Sequence, residues 1–217
     1  LIFLKIIFRE KMKQRYFIYI GIFVLVHWFL LVYDRIINNI PLNLFWISHF
    51  VLLIAAIGFI LRNNFILTGS LILILIMHGL WILDFVFLLV LGNSPSSYTQ
   101  YVYRLTPFRK LLTFHHIYLI PLIIWALWKQ KKISKHGWVF ASIFFAIFSL
   151  MSFLFIRREY NINCAHFLCK PLEIVFPFLS IINNFHPILY LVLLNVFMTF
   201  FIFYLPNKLL YIVFTKK

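Results

Sequence analysis

Apolar residues run along this chain in six blocks separated by short polar breaks. The blocks cover 16–33, 41–61, 65–91, 111–128, 138–156 and 187–205. The breaks include Asp34-Arg35, Arg62-Asn63-Asn64, the polar stretch 92–110, Lys129-Gln130-Lys131-Lys132 and Arg157-Arg158-Glu159. A helix needs roughly 20 apolar residues to cross a hydrocarbon core about 30 Å thick. No water is available there to pair backbone N–H and C=O groups, so each block predicts a helix. A weaker run over 172–182 holds Glu173 and Pro177. It is too short to cross and predicts an interfacial or re-entrant segment. No internal repeat and no low-complexity linker interrupts the pattern. The expectation is one all-α domain over 1–217, a polytopic transmembrane helix bundle of six spans with short loops.

Composition sharpens this picture. The chain is 64% hydrophobic and 12% charged, whereas soluble domains average roughly 45–50% apolar and 25% charged residues. A formal charge of +15 would suit nucleic acid, but the basic residues sit between and beside the apolar blocks, where the positive-inside rule puts them. Nucleic acid is therefore excluded as a partner, and the lipid bilayer takes its place. Of the 20 Lys and Arg, 13 fall on the side that holds both termini and 7 on the other. This predicts a cell (cytoplasmic) membrane protein with both termini inside. The first block ends without a small-residue cleavage pattern, so it predicts a retained span. Met12 is a candidate initiator, which would place 1–11 upstream of the translated chain and reduce the 13 to 10. The 28 Phe, with abundant Ile and Asn, read as coding bias and carry no functional weight. With only 6 Gly, bulky contacts rather than G-x-x-x-G crossings should hold the bundle.

Polar side chains inside the blocks carry the functional signal, because a charge at the bilayer centre costs roughly 2.5–3.5 kcal/mol or more. Seven of the eight His lie on one half of the molecule: His27, His49, His78, His115, His116, His166 and His186. Asp84, Asn161, Asn163 and Glu173 share that half. A His-lined polar cavity opening outward is the expectation. Each member also has a plain reading: Asp84 as a headgroup-level residue, a single His as part of an aromatic belt with Trp28, Trp46 and Trp81, and His186-Pro187 as a helix start. Adjacent His115 and His116 point about 100° apart on a helix, so they should not both face one small ligand. Pro121 predicts a kink near that pair. Cys164 and Cys169 flank His166 at a spacing that admits a disulfide, free thiols or a share in a metal site.

From Trp81 onward the chain resembles a family of uncharacterised bacterial multispan membrane proteins. The likeness rests on Trp81-Ile82-Leu83-Asp84-Phe85 leading to Gly92, Thr99-Gln100-Tyr101, and Leu112-Thr113-Phe114-His115 through Pro121. Asn161-Ile162-Asn163 and His186-Pro187 with Leu205-Pro206 complete it. Asn207 stands where that pattern has a His, and His116, Cys164 and Cys169 lie outside it. The resemblance brings no activity, but it implies a shared constellation of Asp84, His115, Asn161 and Asn163.

Three function classes follow. One is a membrane-embedded enzyme on a lipid or other hydrophobic small molecule. Asp84 and His115 would be its catalytic acid–base pair, and Asn161, Asn163 and Trp81 would bind substrate. Another is a redox or metal protein with His27, His49, His78 and His115 ligating haem or copper. The last is a carrier or structural membrane subunit, against which stands the absence of repeat halves.

Overall fold

A computed structural model describes residues 2–215, with side chains from Arg15 onward. It is an all-helical bundle; no strand occurs among the described residues. Helix α1 spans Ile2–Ile37, α2 Ile47–Ile60, α3 Asn64–Leu91, α4 Pro107–Thr113, α5 His115–Gln130, α6 Gly137–Phe155, α7 Lys170–Val175, α8 Pro187–Phe197 and α9 Leu205–Thr215. Met198–Tyr204 joins α8 to α9 as a π-helical segment, so these three form one long rod. Five helical stretches are long and apolar enough to cross a membrane: Arg15–Ile37, Asn64–Leu91, Pro107–Gln130, Gly137–Phe155 and Pro187–Thr215. The sixth predicted span is shorter. Its helical part is α2, preceded by a 3-10 turn over Pro41–Phe45. The weak 172–182 run divides into short α7 and a 3-10 stretch, Pro177–Asn184, as its length requires. Questions about the start residue fall on 1–11, whose side chains lie outside the described set.

Helix boundaries follow local chemistry. Asn63 caps α3 by accepting the backbone N–H groups of Phe65 and Ile66 at 2.9 and 3.1 Å, satisfying donors that have no partner inside the helix. Gly92 ends α3 at φ 68°, a left-handed position that costs an L side chain energy. Thr106 and Pro107 start α4, and His186 and Pro187 start α8, Pro being suited to the first helical position. The plain reading of His186 is thus borne out: its Nδ1 accepts the Ile188 N–H.

α3 lies against α2, α5 and α6, and its Leu67, Leu71, Ile72 and Ile74 pack into a core with Val51, Leu52, Leu119 and Ile123. The outside is apolar too. Phe23, Phe29, Leu83, Val90, Leu154 and Phe200 are exposed, as hydrocarbon solvent demands. A Ser149–Asn195 pair at 3.2–3.3 Å ties α6 to α8, a polar contact of the kind that joins helices in lipid. Bulky side chains fill the core, yet close approaches at glycine set several crossings. A Cβ on Gly21 would come within 3.0 Å of the Ala56 carbonyl, so α1 and α2 approach closely only because that carbon is missing.

Candidate functional site

The site is built where α1 ends, α2 begins, α3 nears its end and α5 starts. The chain between α4 and α5 breaks at Phe114, which caps one helix and opens the next. Around the break, the N–H groups of Ile117 and Tyr118 both go to the Phe114 carbonyl, at 2.9 and 3.1 Å. Leu112 and Thr113 carbonyls thereby become available to side chains. His115 Nδ1 donates to Leu112 O at 2.7 Å, His27 Nε2 donates to the same oxygen at 3.0 Å, and His116 Nδ1 donates to Thr113 O at 3.0 Å. On α2, His49 Nδ1 donates to Asn43 O at 2.6 Å. A carbonyl only accepts, so each of these contacts fixes the ring proton and leaves the other nitrogen as a lone pair.

Five imidazoles from four helices meet here. His115 stands at the centre, with ring centroids 5.7 Å from His27, 5.8 Å from His49, 5.8 Å from His78 and 4.0 Å from His116. His78 and His116 are 4.4 Å apart. His115 and His78 are 1% and 2% exposed. Among the described residues, His115 Nε2 and both nitrogens of His78 are buried without a hydrogen-bond partner. A buried polar atom left unpaired costs on the order of 1–3 kcal/mol, so three such atoms side by side need a reason. The ligand nitrogens of His78, His115 and His116 all lie within 4.8 Å of one another.

This corrects the expectation that His115 and His116 diverge. They lie in the first turn after a helix break, and each ring folds back onto the carbonyl three residues earlier, so both converge. The interruption sits at Phe114 rather than at Pro121, which lies inside α5. Of the seven His expected in one layer, five come together. His166 instead turns its Nε2 to the Ile156 carbonyl at 2.9 Å, and His186 caps α8.

A cavity of about 430 Å³ adjoins the cluster, lined among others by Arg35, Arg109, Trp46, Trp81, His49 and His116. A tighter chamber of about 80 Å³, lined by His78, His116, Asn163 and Met77, lies beside it and shares Trp46, Ser48, Tyr98 and His116 with the larger one. Arg35 and Arg109 both contact the buried Asp34, at 3.2 and 3.0 Å. Two guanidinium groups against one carboxylate leave a local positive charge, and Arg35 Nε has no partner. Trp81 stacks on His116 at 4.6 Å and donates from Nε1 to the Tyr101 hydroxyl at 3.2 Å. Burial pushes the Tyr98 and Tyr101 hydroxyls above the ordinary tyrosine range, so both stay neutral donors.

Asp84 is elsewhere. Its carboxylate accepts from Ser94 Oγ, Ser96 N, Thr99 N and Thr99 Oγ1, which fastens the loop after α3. No hydrogen bond and no shared cavity joins it to His115 among the described residues, so the structure does not assemble that pair. Asn161 and Asn163 are likewise committed. Asn161 bonds Phe167 O and the N–H groups of His166 and Phe167. Asn163 bonds Phe45 O, Ser152 Oγ and Ile47 N at 2.8–3.0 Å, while also lining the small chamber. Cys164 and Cys169 form a disulfide, the first of the three alternatives.

Asp34, Arg35, Arg109 and Tyr98 are site residues that the sequence reading passed over as breaks between helices. A signal existed: Arg35 and Arg109 lie on the Lys/Arg-poor side, where a basic residue is least expected.

No protein-family model, no curated protein and no solved structure matches this chain. Function is therefore argued from the site itself.

Proposed function

We propose that the protein is a membrane-embedded enzyme that takes an amphiphile with an anionic headgroup into the Arg35–Arg109 cavity. The observation that carries this reading is the excess positive charge of the Arg35–Asp34–Arg109 group in one cavity with His49 and His116. A guanidinium fork matches phosphate or carboxylate oxygens two at a time. Trp46, Trp81, Ile40 and Leu105 supply the apolar wall for the hydrocarbon part, the usual mixture in a small-molecule site. His49, which lines this cavity, has its proton on Nδ1, so its Nε2 acts as the general base toward an O–H group of the headgroup or of water. Trp81 holds the neighbouring His116 ring by stacking, and Asp84, Asn161 and Asn163 serve as anchors of the surrounding loops.

Both termini lie in the cytoplasm in this reading, and the cavity faces outward. The 13-to-7 distribution of Lys and Arg supports it. So does the Cys164–Cys169 disulfide, which sits on the same side as Arg35 and Arg109 in a six-span topology, because disulfides persist in oxidising compartments.

The test is lipid retention by the full-length protein purified in detergent and measured by native mass spectrometry. Phosphatidylglycerol is expected to be kept in preference to phosphatidylcholine. Arg109→Gln should reduce that preference about tenfold, equivalent to about 1.4 kcal/mol. Equal retention of both lipids by the unaltered protein would refute the reading.

A further inference from the structure

We infer that His78, His115 and His116 form a binding site for one late first-row transition-metal ion, zinc or copper. The site lies beside the proposed headgroup cavity but rests on different atoms, so either proposal can fail alone. Three observations carry it. First, the ligand nitrogens of these residues lie within 4.8 Å of one another. Metal–imidazole bonds of about 2.0–2.1 Å set neighbouring ligand nitrogens roughly 3.4 Å apart, so the rings need to close by only an ångström or so. Second, the lone pairs are in place. His115 and His116 donate from Nδ1 to backbone carbonyls at 2.7 and 3.0 Å, which is the outer-shell bond that orients a metal-ligating histidine and makes its other nitrogen more basic. His78 keeps both nitrogens unpaired, and His115 Nε2 is unpaired too. Third, His78 and His116 line the chamber of about 80 Å³, which leaves room for a further ligand beside these two rings.

The donor set selects the ion. Three neutral imidazoles without a carboxylate suit zinc and copper, whereas magnesium and calcium require oxygen ligands. The sealed setting adds to this. His27 and His49 surround His115 with their own protons fixed by Leu112 and Asn43 carbonyls, forming a second ring of imidazoles around the three ligands.

The experiment uses the full-length protein in detergent, stripped with a chelator and then equilibrated separately with zinc, cobalt(II) and copper. About one ion per chain is expected by elemental analysis after desalting. Cobalt should give the intense visible absorption of a four-coordinate site, and copper(II) the nitrogen hyperfine pattern of imidazole ligation. The relative affinities for zinc and copper decide between those two ions. His78→Ala and His115→Gln should each lower the affinity at least tenfold, while His136→Ala and His186→Ala should leave it unchanged. If the ligand variants do not fold, the cobalt and copper spectra of the unaltered protein decide the matter without them. Metal at background level, or metal retained equally by the His78 and His115 variants, would overturn the proposal. Metal bound without any preference for anionic lipid would leave this site standing and remove the headgroup reading.

Discussion

The two ends of the bundle each hold a polar, positively charged cavity, and they are built in different ways. At one end Arg62, Lys129, Asn64 and Gln130 line a hollow of about 740 Å³ with Tyr16, Phe17 and Trp125. Among the described residues, no acidic residue and no histidine lines it. Arg62 instead lies over the Phe17 ring at 5.4 Å, and its Nε, like Asn64 Oδ1 and Gln130 Nε2, has no partner among the described residues. At the other end, most polar groups are aimed by another: Asp34 orients two arginines and backbone carbonyls set the proton on four histidines, with His78 and Arg35 Nε left without a partner among the described residues. The first arrangement is that of basic and amphipathic side chains at a bilayer boundary, where headgroups and water complete the bonding. The second is preorganised by protein groups, which is what binding and chemistry require. Positive charge is common to both, so charge alone does not identify a site; fixed geometry does.

Substitutions test this contrast. The largest effect is expected for Asp84→Ala, which strands four hydrogen bonds donated by Ser94, Ser96 and Thr99. A loss of about 3 kcal/mol is expected, read as a fall in the detergent melting temperature of roughly 5–10 °C. A variant that keeps its melting temperature but loses lipid-dependent activity would restore Asp84 to the catalytic role. Asp34→Ala comes next. It leaves Arg35 and Arg109 facing each other at 14% and 24% exposure, for about 2 kcal/mol. At the opposite end, Arg62→Ala should cost no more than about 0.5 kcal/mol. Equal losses for Asp34→Ala and Arg62→Ala in the same melting assay would erase the distinction between the two cavities.

The smallest expected effect is a pH dependence. Burial, with Tyr101 and Asp84 adding to it, raises Tyr98 above the ordinary value of 10.0. The unfolded chain then loses that proton first, so the stability contributed by neutral Tyr98 is complete below pH 10 and declines above it. Tyr98→Phe should flatten the alkaline arm of a melting-temperature profile without changing the neutral plateau. An unchanged alkaline arm would mean that Tyr98 titrates as an exposed phenol.

Hydropathy made the architecture legible, because in lipid the length and polarity of a segment settle whether it is a helix. The six blocks each correspond to a helical segment, and the 172–182 run does not cross. The histidine layer was legible for the same reason: α1, α2, α3 and α5 run in alternating directions, so residues near the end of one and the start of the next share a level. Contacts within that layer were not legible. The convergence of His115 and His116 depends on a helix break at Phe114, a residue without helix-breaking chemistry, whereas the recognisable breaker Pro121 lies within α5. The partners of Asp84, Asn161 and Asn163 come from loop backbone, and no periodicity marks which amide group meets which carbonyl. Asp34, Arg35 and Arg109 look like ordinary punctuation until the fold brings Arg109 across 75 positions of sequence to Asp34.

The break at Phe114 ties mechanics to occupancy. The carbonyls of Leu112 and Thr113 are held by the Nδ1–H groups of His115 and His116, the same rings whose other nitrogens carry the free lone pairs. Any Lewis acid or proton donor that takes a ring's Nε2 draws electron density away from its Nδ1–H and strengthens that donor. Occupying those lone pairs and stiffening the α4–α5 joint are therefore one event. Anything that loosens the joint from outside, including a pull on Arg109 in α4, weakens the hold on whatever the imidazoles carry.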